Sequence, residues 1–79
     1  MKPGELQKRI GLVIRTQRAK QHISQEAFAD KIRMHRTYYG ALERGEKNLQ
    51  LSTLKRVSDG LGIRMSEVLE RAERAFEDL

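Results

Sequence analysis

Residues 24–45, SQEAFADKIRMHRTYYGALERG, predict two short helices joined by a tight turn. Ser24 is a good N-cap for a first helix over residues 25–32, because its hydroxyl can accept a hydrogen bond from a free backbone N–H group. A second helix is predicted over residues 36–44, with Gly45 as a natural stop. Only about three residues remain between the two helices, so they must pack at a sharp angle.

Apolar residues recur at helical spacing in three further segments, residues 5–20, 52–61 and from about 66 onward. In the first of these, Leu6 is assigned to the apolar, inward face. No stretch of useful length alternates apolar and polar residues as a strand would. The sequence therefore predicts an all-α fold of five helices, arranged as a single domain over residues 1–79.

Composition and charge narrow the class of protein. A chain of 79 residues without cysteine has no disulfide framework, and it has no apolar run long enough for a membrane span or a secretory signal. The formal net charge is +5, but residues 66–79 carry five acidic and two basic residues, a net charge of −3. The rest of the chain therefore carries +8. This asymmetry predicts two surfaces with different partners, a polyanion for the basic one.

Helical spacing divides the residues of the two short helices between an inner and an outer face. Ala29 is small enough for close contact where the helices cross. Met34 is predicted to pack from the turn into the core, and Leu42 to hold the far end of the second helix against it. The outer face of that helix then holds Arg36, Thr37, Gly40, Ala41 and Arg44. A helix with such a face fits the major groove of DNA.

Three segments carry a family resemblance: SQEAFA at residues 24–29, LERG at 42–45, and the leucines and glycine within 54–63. Together they resemble the lambda-repressor-like family, in its Cro/C1 (XRE) helix-turn-helix branch. RTY at 36–38 and KNL at 47–49 are most similar to the controller proteins of restriction–modification systems. The resemblance implies a small homodimeric regulator that binds operator DNA.

The chain departs from the family pattern at several positions. The family usually has glycine at the position of His22, and glycine or asparagine at that of Arg33, where the backbone tends to need a positive φ. It usually has serine, threonine or aspartate at His35, the N-cap of the second helix. Gly40 stands where the family usually has a serine-like residue. Glycine inside a short helix lowers the stability of that helix by about 1 kcal/mol relative to alanine.

The outer face and the resemblance together give a set of DNA-contact candidates. The family pattern implies that Gln25 holds a phosphate, and Arg36 can donate two hydrogen bonds to guanine or contact phosphate without reading a base. Tyr38 is either a phosphate contact or a partly buried aromatic. The full set is Gln25, Arg33, His35, Arg36, Thr37, Tyr38, Gly40, Ala41, Arg44, Lys47, Asn48 and Ser52.

The resemblance also implies one structural ion pair, between Arg18 and Glu43, which ties the first helix to the second helix of the motif. Enzymatic activity is not expected. His22 and His35 lie far apart in the sequence with no metal-ligand spacing, and there is no glycine-rich phosphate loop. We therefore expect no metal, no cofactor and no small-molecule ligand.

The fifth helix, about residues 66–79, is the predicted dimerisation element. Its apolar positions continue to the end of the sequence, and an exposed apolar stripe is typical of a partner surface. The candidate interface residues are Met65, Val68, Leu69, Ala72 and Phe76. The alternative is a solvated helix held by the i,i+4 pairs Glu67–Arg71 and Glu70–Arg74.

These observations predict a cytoplasmic, sequence-specific DNA-binding transcriptional regulator. It would bind a pseudo-palindromic operator as a homodimer, and the resemblance implies the controller of a restriction–modification system. A phage-type repressor and an antitoxin share the same DNA-binding skeleton. Two alternatives of other classes are a protein–protein adaptor and a non-specific architectural DNA binder. The former predicts no salt-sensitive DNA binding, and the latter predicts binding without sequence preference.

Overall fold

The computed structural model describes the backbone of residues 2–77 and the side chains of residues 2–74. Its helices are α1 Glu5–Lys20, α2 Gln25–Lys31, α3 Arg36–Glu43, α4 Leu51–Leu61 and α5 Met65–Glu77. No strand occurs within residues 2–77. The prediction of an all-α fold with five helices is confirmed. The starts of the five helices and the ends of α1 to α4 differ from the predicted ones by one residue at most, and the predicted end of the fifth helix at residue 79 lies outside the described residues.

Local signals in the sequence account for where the helices begin and end. The Ser24 hydroxyl accepts a hydrogen bond from the backbone N–H of Ala27 at 3.1 Å, so it caps α2 as predicted. His35 caps α3 in an unusual way, because its ring Nδ1 accepts from the backbone N–H of Thr37 at 3.2 Å. Gly62 ends α4 with φ 74°, in the left-handed region that glycine reaches without strain.

Two non-glycine residues adopt the left-handed backbone conformation. His22, directly after α1, has φ 56°, and Arg33, in the turn between α2 and α3, has φ 57°. These are the two positions where the family usually has a residue suited to positive φ. The backbone of the family is therefore kept here at a conformational cost, about 1 kcal/mol at each position.

The core lies between α1 and the other helices, with the Phe28 and Tyr39 rings at its centre, 5.2 Å apart. Val68 and Ala72 of α5 are fully buried in this core, against the prediction that they belong to a dimer interface. Leu6 was assigned to the inward face, but it is exposed. The core residues are Ile10, Ile14, Phe28, Ala29, Ile32, Tyr39, Leu42, Leu54, Val57, Leu61, Val68 and Ala72.

Helix α3 is held against α1 by backbone contact. A Cβ atom added at Gly11 of α1 would lie 2.4 Å from the carbonyl oxygen of Glu43 and 2.7 Å from that of Leu42. No side chain fits at Gly11, so the two helices approach more closely there than any other residue type would allow. This contact fixes the orientation of α3, whose opposite face is turned to solvent.

Candidate nucleic-acid interface

The turn between α2 and α3 is closed by backbone hydrogen bonds. The Met34 N–H donates to the carbonyl oxygen of Ala29 at 2.9 Å, and the Arg33 N–H donates to that of Asp30 at 3.1 Å. Met34 is partly buried and packs against the core, as predicted for the residue that plugs the turn. The two helices and the turn therefore form one rigid unit that presents α3 to solvent.

The exposed side of this unit carries a shallow depression that we call the reading surface. It is lined by Gln25, Glu26, Arg36, Thr37, Gly40 and Arg44. Arg36 and Arg44 are exposed and lie about two helical turns apart on α3. Two cations separated by the small polar side chain of Thr37 suit a polyanion with hydrogen-bonding groups between its charges.

Each of these arginines contacts a carboxylate. Arg36 donates from Nη1 to Oε1 of Glu26 at 3.1 Å. Arg44 contacts Glu46 through two hydrogen bonds along one edge of its guanidinium, Nε to Oε2 at 2.9 Å and Nη2 to Oε1 at 3.3 Å. This contact lowers the pKa of the Glu46 carboxyl group. Neither Glu26 nor Glu46 was predicted from the sequence to lie against an arginine of this surface.

Gly40 and Ala41 line the two depressions but are largely covered by neighbouring side chains, and their predicted contact with DNA stays a prediction. Gly40 is buried beneath two side chains, since an added Cβ would lie 3.2 Å from Nη1 of Arg44 and 3.4 Å from Oε1 of Gln25. Ala41 is only 7 % exposed. The helical spacing was read correctly, but neighbouring side chains fold over the middle of α3.

A second depression lies beside the first, between α3 and the segment that follows it. It is lined by His35, Thr37, Tyr38, Ala41, Arg44, Glu46 and Lys47. The Lys47 ammonium lies 5.8 Å from the centre of the half-buried Tyr38 ring, within the range of a cation–π interaction. The side chain of Asn48 accepts a hydrogen bond from Nε2 of Gln7 at 2.6 Å, so the first turn of α1 supports this segment.

Behind the reading surface lies a buried polar cluster centred on the Glu43 carboxylate. Arg18 donates to both carboxylate oxygens, at 2.6 and 3.1 Å, and to the carbonyl oxygen of Ile23 at 2.9 Å. The Tyr39 hydroxyl donates to the same carboxylate, and Nε2 of Gln25 donates to it at 3.0 Å. The ion pair implied by the family resemblance is present, and it is part of a larger cluster.

The cluster sets the charge state of its members. Burial raises the pKa of Glu43, but the hydrogen bonds donated by Arg18, Tyr39 and Gln25 outweigh burial and hold this pKa below its usual range. Burial, together with the hydrogen bond to Glu43, raises the pKa of the Tyr39 hydroxyl. Glu43 is therefore a buried carboxylate with a counter-ion, and Tyr39 stays protonated as its donor.

The profile of the helix-turn-helix family matches residues 14–68, which include α2, the turn and α3. The chain belongs to the helix-turn-helix family. It is 44 % identical to the control protein C.MunI of a Mycoplasma species, over 70 % of this chain and 74 % of that protein. The relatives named here are control proteins and gene regulators, in agreement with the prediction of a regulator.

Solved helix-turn-helix structures have the same fold. The restriction–modification controller protein C.Esp1396I, in a tetramer with its natural 35 base-pair operator, has a TM-score of 0.78 and 28 % identity, covering 87 % of this chain and 91 % of that one. The clp gene regulator ClgR from Corynebacterium glutamicum has a TM-score of 0.82 and 29 % identity, covering 86 % and 87 %.

The residues predicted for the helix-turn-helix dimer divide into three groups. Val68 and Ala72 are core residues of the chain itself, and this part of the prediction is wrong. Met65 and Leu69 are partly buried and pack against the core, with part of their surface left to solvent. Phe76 lies outside the described side chains. The i,i+4 pairs Glu67–Arg71 and Glu70–Arg74 are both formed.

Two features of the site had no readable signal in the sequence. Glu26 lies ten positions before Arg36, and only the angle between α2 and α3 brings them together. Gln7 and Asn48 are 41 positions apart. Among the described side chains of residues 2–74, no group of acidic, histidine or cysteine residues could hold a metal ion. None of the helices described within residues 2–77 has the length and apolar character that a membrane span requires.

Proposed function

We propose that this chain is a sequence-specific regulator of transcription that binds operator DNA with α3 in the major groove. The exposed Arg36, Thr37 and Arg44 on one side of a rigidly held α3 carry this proposal. Arginine can donate two hydrogen bonds to guanine, and threonine can contact a base edge or a thymine methyl group. The opposite side of α3 is fixed against α1 at Gly11, so the reading side chains project from a stable platform.

Contacts to the phosphate backbone lie on both sides of α3 in this proposal. Arg33 in the turn, His35 at the start of α3, and Lys47, Asn48 and Ser52 after it are exposed polar side chains. Gln25 keeps one amide hydrogen after its bond to Glu43, and this hydrogen can donate to a phosphate. Tyr38 reaches the groove wall with its hydroxyl, beside Lys47.

In this proposal the chain forms a single domain over residues 1–79 and acts as a homodimer. Helix 5 (residues 66–79) is the dimerisation element. Met65 and Leu69 supply its exposed apolar surface, and Phe76 follows on the same helix at i,i+4 spacing from Ala72. One copy reads half a site. A two-fold axis then sets two α3 helices about 34 Å apart on a pseudo-palindromic operator.

The genetic context proposed is a restriction–modification system in the cytoplasm, with no cofactor. The 44 % identity to C.MunI and the likeness to C.Esp1396I support it. The likeness to ClgR supports a second candidate, a regulator of another operon. A methyltransferase gene and an endonuclease gene beside this one would favour the controller, and their absence would favour the other operon.

Selection from random duplexes, followed by salt titration on the selected sequence, tests the DNA-binding proposal. We expect one pseudo-palindrome to be enriched and its affinity to fall steeply as salt rises, because phosphate contacts release counter-ions. Equal binding to every duplex would indicate an architectural protein, and no salt-sensitive binding would indicate an adaptor. Sedimentation at tens of micromolar tests the dimer, which a persistent monomer would exclude.

A further inference from the structure

The two arginines of the reading surface are held by carboxylates in different ways. Arg44 uses Nε and Nη2 for Glu46, so one full edge of its guanidinium is occupied. Arg36 uses only Nη1 for Glu26, in a single contact of 3.1 Å. The edge formed by Nε and Nη2 of Arg36 is therefore open, and this edge matches the O6 and N7 atoms of guanine.

The Glu26 carboxylate distinguishes between the two kinds of group that Arg36 could contact. A phosphate bound to Arg36 would share the guanidinium with the Glu26 carboxylate, which lies 3.1 Å from Nη1, and this second negative charge would repel it. Guanine presents neutral acceptor atoms and meets no such repulsion. The two side chains are 64 % and 68 % exposed, so the charge of Glu26 faces an approaching duplex and is not shielded by the protein.

We infer that Glu26 is a specificity-determining residue that positions Arg36 for a base edge and opposes its use as a general phosphate contact. The inference rests on the proposed function and assigns one task within it. Glu26 lowers the affinity for DNA of unrelated sequence more than it lowers the affinity for the operator. Glu26 changes the ratio of operator affinity to affinity for unrelated DNA only by its contact with Arg36. It is therefore a positioning residue.

Glu26→Gln tests this, because glutamine keeps an oxygen acceptor of similar reach and removes the charge. We expect binding to a scrambled duplex to tighten by about fivefold, with a much smaller change on the operator, so the operator-to-scrambled ratio falls. The salt dependence of scrambled binding should also become steeper by about one phosphate contact, since Arg36 is released for such a contact.

Asp59→Asn is the matched control. Asp59 pairs with Lys55 on α4, away from the reading surface and from α5, with side-chain exposures of 60 % and 62 %, and the substitution changes the net charge by the same single unit. We expect it to leave the operator-to-scrambled ratio unchanged. A double variant, Glu26→Gln with Arg36→Gln, should have the same ratio as Arg36→Gln alone, because the effect of Glu26 requires the arginine.

The outcomes separate this inference from the proposed function. A wild-type protein that binds all duplexes equally would overturn the proposed function. A wild-type protein that prefers its selected operator, together with a Glu26→Gln variant that keeps the full preference, would overturn the role of Glu26 alone. An equal loss of preference in Asp59→Asn would do the same, since it would reduce the effect to net charge.

Discussion

The backbone of Gly11 in α1 touches the backbone of Glu43 in α3, with room for no side chain between them. An added Cβ would lie 2.4 Å from the Glu43 carbonyl oxygen. Glu43 is also the residue whose carboxylate binds Arg18, Tyr39 and Gln25. The C-terminal end of α3 is therefore held in place by two contacts of Glu43, one through its backbone and one through its side chain.

Gly11→Ala should destabilise the protein although alanine favours helices. The new methyl group meets two carbonyl oxygens that belong to the backbone of α3, so α1 and α3 must separate. We expect a loss of about 2 kcal/mol in the free energy of unfolding, measured by urea titration. An unchanged midpoint would contradict the close approach of the two helices.

Gly40→Ala should have the opposite effect on stability and a separate effect on binding. The added methyl group meets only the ends of the flexible Arg44 and Gln25 side chains, so the gain of about 1 kcal/mol in helix propensity is kept. Displacement of both side chains should weaken operator binding severalfold. A variant that is more stable but binds the operator with unchanged affinity would show that neither side chain needs its present position.

Arg18→Ala should be among the most damaging substitutions. It leaves the Glu43 carboxylate buried without its cation, which costs about 3–5 kcal/mol in comparable buried pairs. Arg74→Ala is the control, because it removes the cation of an exposed pair and should change the free energy of unfolding by less than about 1 kcal/mol. Equal effects of the two substitutions would contradict a structural role for Arg18.

The lowered pKa of Glu43 predicts a loss of stability in acid. A carboxyl group whose pKa is lower in the folded state stabilises the fold above its unfolded pKa, here about 4.5, and this contribution is lost as the pH falls through the lower, folded value. Tyr39→Phe removes one donor to Glu43 and so raises its folded pKa toward the unfolded value, which should make the acid-induced loss of stability smaller and complete at a higher pH. Thermal unfolding between about pH 3 and 7 measures this. Tyr38→Phe, the control, should follow the wild-type curve.

His22→Gly should stabilise the protein by about 1 kcal/mol, because His22 is exposed and has φ 56°. Ala19→Gly, three residues earlier inside α1, should instead destabilise the protein by about 1 kcal/mol. Urea titration of both variants compares the two backbone conformations directly. Loss of stability in both would mean that the left-handed conformation at His22 costs nothing.

The sequence predicted those parts of the fold that depend on residues close together in the chain. Ser24 and Gly62 fixed helix ends through local hydrogen bonds and local backbone conformation. The misassigned Val68 and the largely covered Gly40 both depend on which neighbouring side chains lie against them. Helical spacing distinguishes two faces of a helix, but it does not tell a core from a partner surface, and it does not show side chains folding over a glycine.

Packing of α5 onto α1 has a consequence for synthesis on the ribosome. Val68 and Ala72 are fully buried, and the helix that carries them lies against the first helix of the chain. The α2–turn–α3 unit can therefore be translated completely and still lack part of the core that holds α1 in place. Stable folding has to wait until α5 has left the exit tunnel, so nascent chains that end before residue 68 should be degraded readily by proteases.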